Sequence, residues 1–208
     1  MFRKIGLSAF ALVLSVAAAG AQDEGMSFFV TSANPGSGGD LGGLEGADAH
    51  CADLAEAAGV TGRTWAAYLS TSTENARDRI GSGPWANAEG VVIAESVEAL
   101  HGEGNNITKE TALDETGAVV NGSGDDPIRH DMLTGSLPDG TAAEATCEDW
   151  TSGGADTAGM VGHHDRMGLD DSEAARSWNS SHSSRGGCGL EALRGTGGDG
   201  LFYCFAAE

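Results

Sequence analysis

The stretch Cys188-Gly-Leu-Glu-Ala-Leu-Arg-Gly-Thr-Gly-Gly-Asp-Gly-Leu-Phe-Tyr-Cys204-Phe205 decides how this chain is built. Its end, Leu201-Phe202-Tyr203-Cys204-Phe205, is apolar and aromatic and reads as a strong strand. Cysteines stand at both ends of the stretch. The remaining two are Cys51, early in the chain, and Cys147. Around Cys51, residues Ala47, Cys51, Leu54, Ala55 and Ala58 recur at helical spacing, while Asp48, Asp53 and Glu56 point away. A helix is therefore expected from about Gly46 to Ala58, stopped by Gly59 and Gly62. Cysteines on a first helix and a last strand point to a loop-rich domain stapled closed. Four cysteines permit three pairings, and the residues alone do not choose among them. None forms a CxxC pair, which argues against a zinc ribbon or a thioredoxin-type site.

Between these ends the pattern is one of short strands. Ser27 to Thr31 and Thr64 to Ser70 are apolar, β-branched or aromatic, and so is Gly90 to Ala94. Val97, Leu100 and His101 share a helical turn. Ile107 to Val120 suggests a hairpin bending near Asp114-Glu115-Thr116-Gly117, and Cys147 to Thr151 a short strand. Residues 122 to 176 read mostly as loop, with Met132 to Ser136 and Pro138 to Thr141 bracketing a turn. The 33 glycines are about double the usual share of roughly 7%. With 40% hydrophobic residues there is still enough for a core. The class is α+β in a single domain over residues 22–208.

The N-terminus has the pattern of a secretory signal over residues 1–21. Phe2-Arg3-Lys4 is basic, Ile5 to Ala18 is mostly apolar, and Ala19-Gly20-Ala21 has small residues where a signal peptidase reads. The apolar run is short for a bilayer span, so no membrane insertion is expected after cleavage. Export, to a periplasm or the extracellular space, agrees with an even cysteine count. The chain carries 11 basic and 31 acidic side chains. Loss of Arg3 and Lys4 with the signal leaves 9 against 31, a net of −22, with Lys109 the only lysine. Such a surface repels phosphate backbones and heparin-like polyanions, so neither nucleic acid nor a heparin-like partner is expected.

Several segments together carry a family resemblance. They are Gly43 to Cys51, with its Gly-x-x-Gly-Ala-Asp-x-x-Cys; Thr64 to Ser70, with Thr-Trp-x-Ala-Tyr-Leu-Ser; Leu133 to Trp150, with Thr-Gly-Ser-x-x-Asp-Gly and Cys-x-x-Trp; and Cys188 to Phe205. In this order they resemble the endostatin domain and its bacterial relatives, within the C-type-lectin-like superfamily. The resemblance implies a distorted antiparallel sheet with two helices and long loops. It also implies nested disulfides, Cys51 with Cys204 and Cys147 with Cys188. It does not extend to endostatin's heparin or zinc binding. Those rest on an arginine-rich surface and an N-terminal histidine-rich segment, and this chain is acidic and has no histidine in Gln22 to Val30.

Two segments offer ligand chemistry. Trp178-Asn179 precedes Cys188 as a Trp-Asn-Asp motif does in sugar-binding C-type lectins, where Asn and Asp oxygens hold Ca²⁺. Here Ser180 replaces the aspartate, so a core Trp178 and a turn Asn179 form the plainer account. His163-His164-Asp165, followed by His182, is the densest set of metal-ligand types and suits Zn²⁺. Adjacent histidines in a strand face opposite sides, and local hydrogen bonding is the plainer account of such a loop. The candidate metal ligands are thus His163, His164 and Asp165, and the candidate ligand-binding residues Trp85, Trp178, Asn179 and His182. Trp85 is included because its Gly-Pro-rich loop suggests an exposed aromatic. No cofactor is assigned; Ca²⁺ and Zn²⁺ are the two left open. No nucleophile elbow, phosphate loop or dinucleotide fingerprint occurs. The expected role is non-catalytic binding of a glycan or an extracellular protein through the loops of residues 122–187. The alternatives are a metal-dependent hydrolase using His163, His164 and Asp165, and a structural envelope or matrix protein. Asn106, Asn121 and Asn179 each open a glycosylation sequon.

Overall fold

The computed structural model describes residues 25–208. The expected signal segment, residues 1–21, lies outside the described residues. The architecture is α+β, with a six-stranded sheet at its centre and a separate two-stranded ribbon.

The C-terminal strand β8 (Gly198–Ala206) organises the sheet. Strand β1 (Phe28–Val30) runs antiparallel along one edge, with Phe29 opposite Cys204. Strand β2 (Trp65–Ala67) pairs antiparallel with the end of β8, and β5 (Asp131–Leu133) pairs parallel with its beginning. Beyond β5 follow β6 (Met160–His163) and β7 (His182–Ser183), each antiparallel to its neighbour. The ribbon is β3 (Trp85–Ala86) with β4 (Val92–Ala94).

Alternation along β8 explains why both sheet faces are covered. Phe202, Cys204 and Ala206 enter one buried cluster, together with Phe29, Trp65, Ala67 and Leu133. Leu201, Tyr203 and Phe205 enter the other, with Phe28, Val30, Tyr68, Trp85, Ile93 and Trp178. Each such side chain contributes about 1.5–3 kcal/mol when fully buried. Helix α1 (Gly43–Ala57) covers the first face, burying Ala47, Cys51 and Ala55 at four-residue spacing. Helix α2 (Val97–His101) belongs to the second, capped by the Ser96 hydroxyl, which accepts from the Ala99 amide. Helix α4 (Leu190–Thr196) leads into β8. The disulfides join Cys51 to Cys204 and Cys147 to Cys188.

Four expectations change. The sheet is mixed rather than antiparallel, because β5 lies parallel to β8. Among the described residues there are three right-handed α-helical segments and a short 3-10 turn at Ala76–Asp78 rather than two helices. The expected hairpin over Ile107 to Val120 reduces to one bridge between Leu113 and Val119, closed by a turn at Asp114. Cys147 to Thr151 is not a strand. Segment α3 (Cys147–Trp150) is a single left-handed turn, with φ of 51°, 55°, 55° and 66°. Left-handed backbone costs about 1–2 kcal/mol per non-glycine residue. Tertiary bonds offset this. Thr146 caps the Asp149 amide, and the Asp149 carboxylate accepts from the Ser72 amide and hydroxyl at 2.7 and 2.6 Å. The Trp150 indole donates to the Ser70 carbonyl at 2.8 Å, and Cys147 is held by its disulfide.

Candidate functional site

The sheet register assembles a cluster of imidazoles around one carboxylate. Asp131 on β5 lies directly opposite His163 on β6. His182 on β7 lies opposite Val161, two residues before His163. Residues two apart on a strand share a face, so His163 and His182 meet diagonally across the β6–β7 pair. His130, at the entry to β5, stacks its ring on that of His163 with centroids 4.3 Å apart and planes 17° from parallel.

The reactive atoms converge. From Asp131 Oδ1, His130 Nε2 is 3.1 Å away, His163 Nε2 3.3 Å and His182 Nε2 3.9 Å. His163 Nε2 and His182 Nε2 are 3.0 Å apart. Asp131 is buried, and neither of its carboxylate oxygens has a hydrogen bond of good geometry, although ring nitrogens stand 3.1 and 3.3 Å from Oδ1. A buried carboxylate without a partner costs free energy and calls for an explanation.

Outer contacts fix the ring orientations. His163 Nδ1 donates to the Ala175 carbonyl at 2.7 Å, which turns Nε2 inward. Burial alone would push the His163 pKa down. The Asp131 carboxylate and the Ala175 carbonyl outweigh it and hold the ring above its ordinary value. His130 Nδ1 faces Asp165 Oδ1 at 3.4 Å, a long contact. Asp165 in turn accepts from the Ser123 and Met167 amides at 2.5 and 3.1 Å. Burial raises its pKa, but His130 and these two amides prevail and bring it down to about 2. Gly197 passes against the cluster with φ of +138°. A Cβ there would lie 2.9 Å from His130 Nε2, so the approach needs glycine.

The cluster opens into a cavity of about 420 Å³. His130, His163 and His182 form its floor, and Ser181, Arg185 and Leu169 stand among its walls. Leu169 is fully exposed, and Ile128, which also lines the cavity, and Met167 are exposed as well.

The other expected residues lie elsewhere. Trp85 is buried, not exposed on a loop. Its indole donates to the Ala206 carbonyl and packs edge-on against Phe205. Trp178 is also buried, against Tyr68 and Tyr203. Asn179 is a buried hub. Its amide donates to the Tyr68 hydroxyl and to the Leu137 and Pro138 carbonyls, and its oxygen accepts from Ser177. Asn179 is 1% exposed, so its amide serves the interior and its sequon is not accessible. His164 is turned away from His163 and contacts the Asn121 carbonyl through Nε2, with burial lowering its pKa. Asp165 reaches the cluster only from behind, through His130. Of the expected set, His163 and His182 come together. His130 and Asp131 were missed. The signal that would have found them is their place at the start of a strand whose partner carries His163, and the sequence reads that strand as part of a loop, on the flank of a turn.

No family model matches the chain, and no curated protein matches it. Among the described residues no helix is long and apolar enough to cross a membrane.

Proposed function

We propose that this chain is an exported, non-catalytic binding protein of the C-type-lectin-like type that takes a glycan in the cavity between Ile128, Leu169, His182 and Arg185. The observation that carries the reading is the cavity itself. Its volume of about 420 Å³ falls within the range of roughly 300–1,000 Å³ typical of ligand sites. Its walls combine hydrogen-bonding side chains with apolar rim residues, a mixture that matches the hydroxyls and C–H faces of a sugar. Two disulfides suit an oxidising compartment, which supports export. All four tryptophans are buried, so recognition runs through imidazole, guanidinium, hydroxyl and aliphatic groups rather than an indole platform.

A glycan array with the oxidised chain of residues 22–208, in Ca²⁺ and in EDTA, tests this. Specific binding is expected, weakened about tenfold or more by Leu169→Asp, which adds a charge at the exposed rim without touching the core. Silence of the array in both buffers would remove the glycan and turn the search to an extracellular protein ligand.

A further inference from the structure

We propose that Nε2 of His130, His163 and His182 and a carboxylate oxygen of Asp131 form a binding site for one divalent transition-metal ion, with Zn²⁺ the best chemical match. The geometry comes first. A tetrahedral Zn²⁺ with ligand bonds of about 2.0–2.1 Å has ligand atoms about 3.3 Å apart. Asp131 Oδ1 lies 3.1 Å from His130 Nε2 and 3.3 Å from His163 Nε2, and His163 Nε2 lies 3.0 Å from His182 Nε2, all near such an edge, whereas Asp131 Oδ1 to His182 Nε2 is longer at 3.9 Å. His130, Asp131 and His163 form the compact part of the set, each offering an atom within 4.8 Å of the others, and the partly exposed His182 ring stands beside His163 on the cavity side, where it has room to swing onto a bound ion.

The second observation is independent of the spacing. Both Asp131 oxygens are buried without a hydrogen bond of good geometry, although the carboxylate is aimed at three ring nitrogens. A cation among those nitrogens would satisfy the carboxylate, and binding it requires the His130 ring to turn out of its stack on His163 so that each Nε2 lone pair meets the ion. The outer contacts are of the kind that orient metal-binding histidines. The Ala175 carbonyl holds His163 by Nδ1, and the Asp165 carboxylate lies 3.4 Å from His130 Nδ1, close enough to attract the ring though not in hydrogen-bonding geometry. Three imidazoles and one carboxylate suit Zn²⁺, Co²⁺ or Ni²⁺. Calcium and magnesium prefer oxygen donors throughout. Such an ion would tie β5, β6 and β7 together at the cavity floor. It would also anchor both ends of the segment 164–181, which carries Leu169.

This site does not depend on the glycan reading, because the probe is the metal alone. The oxidised chain, without a histidine tag, is stripped with EDTA, dialysed, and titrated calorimetrically with ZnCl₂ and separately with CoCl₂. One saturable equivalent is expected, with a tetrahedral visible spectrum for Co²⁺. The thermal midpoint is expected to rise with Zn²⁺ and not with Ca²⁺ or Mg²⁺. His182→Ala and Asp131→Asn should each weaken Zn²⁺ binding by about tenfold or more, and Asp165→Asn by about tenfold through His130. His50→Ala, on α1 with its ring against Phe202 and Nε2 on the Ala33 carbonyl, should bind as the wild type does. Circular dichroism checks each variant's fold. If Asp131→Asn does not fold, His182→Ala and the wild-type cobalt spectrum decide, since the His182 side chain is 39% exposed and its removal leaves the core intact. No saturable binding by the wild type, or unchanged affinity in His182→Ala, overturns the proposal.

Discussion

The His101 ring has room for one proton only. Nδ1 lies 2.7 Å from the Val97 carbonyl and must donate to it, so Nε2 accepts from the Tyr68 hydroxyl, also at 2.7 Å. That hydroxyl accepts in turn from Asn179. A second proton on the ring would force Tyr68 to give up its bond. Burial pushes the His101 pKa below its ordinary value of 6.5, and nearby Arg77 adds to the depression. The linkage sign follows. Above about pH 6.5 neither folded nor unfolded His101 is protonated, and the neutral ring's contribution is fully present. As pH falls below that value the unfolded chain takes the proton first, so stability is lost between 6.5 and the lower folded pKa. An NMR titration of the His101 ring should give a midpoint below 6.5; one at or above it would show that the neutral relay is not maintained. The same relay explains why Asn179 reads misleadingly in the sequence. Its position before Cys188 matches that of a calcium ligand, but the matching amide spends its donors on Tyr68, Leu137 and Pro138.

Helix α1 is locked to the sheet by one residue on its polar side. Asp48 accepts from the Ala67 amide at 2.8 Å and pairs with Arg79 at 2.6 Å. Arg79, its side chain only 8% exposed, also donates to the Ala67 carbonyl and binds Glu74. Asp48→Ala would leave a nearly buried guanidinium short of its main partner and strand the Ala67 amide. Losing a partner of a buried charge pair costs about 3–5 kcal/mol. Because Asp48 is partly exposed, a loss of about 2–3 kcal/mol is expected in urea unfolding. A change under about 0.5 kcal/mol would mean that water replaces the carboxylate freely. The contrast between elements is physical. Helix α1 and strand β8 are legible because periodic apolar faces dictate them: Ala47, Cys51 and Ala55 at four-residue spacing, and Leu201 to Ala206 alternating between two cores. Segment α3 and strand β5 are not legible. The left-handed turn at Cys147 to Trp150 depends on Ser70, Ser72 and a disulfide, all remote in sequence. Strand β5 has three residues, and its identity comes from the neighbours β6 and β8 rather than from Asp131-Met132-Leu133. The site inherits this limit. His163 and His182 stand out as ligand types in a polar stretch, whereas Asp131 gains meaning only once β5 lies beside β6.

At the scale of the molecule, two staples close loops of very different length. Cys51–Cys204 spans 153 residues and joins α1 to the central strand, while Cys147–Cys188 spans 41 and encloses β6 and β7. If both act chiefly by restricting the unfolded chain, loop length sets their order. The chain-entropy relation gives about 5 kcal/mol for the longer loop and about 4 for the shorter. For a chain of this size each kcal/mol moves the thermal midpoint by about 2–4 °C. The variant Cys51→Ala/Cys204→Ala is then expected to melt about 10–20 °C below the wild type, and Cys147→Ala/Cys188→Ala about 8–16 °C below. Calorimetry of both variants without added metal checks the order. The strained left-handed turn gives the reverse order a definite meaning. Cys147 is the first of four residues at positive φ, and its sulfur bond is among the tertiary contacts that hold them there. If the shorter staple proves the more costly, its main effect lies in the folded state, where it keeps the turn and the loops around His163 and His182 in place. The longer staple would then act on the unfolded chain and the shorter on the native loop face.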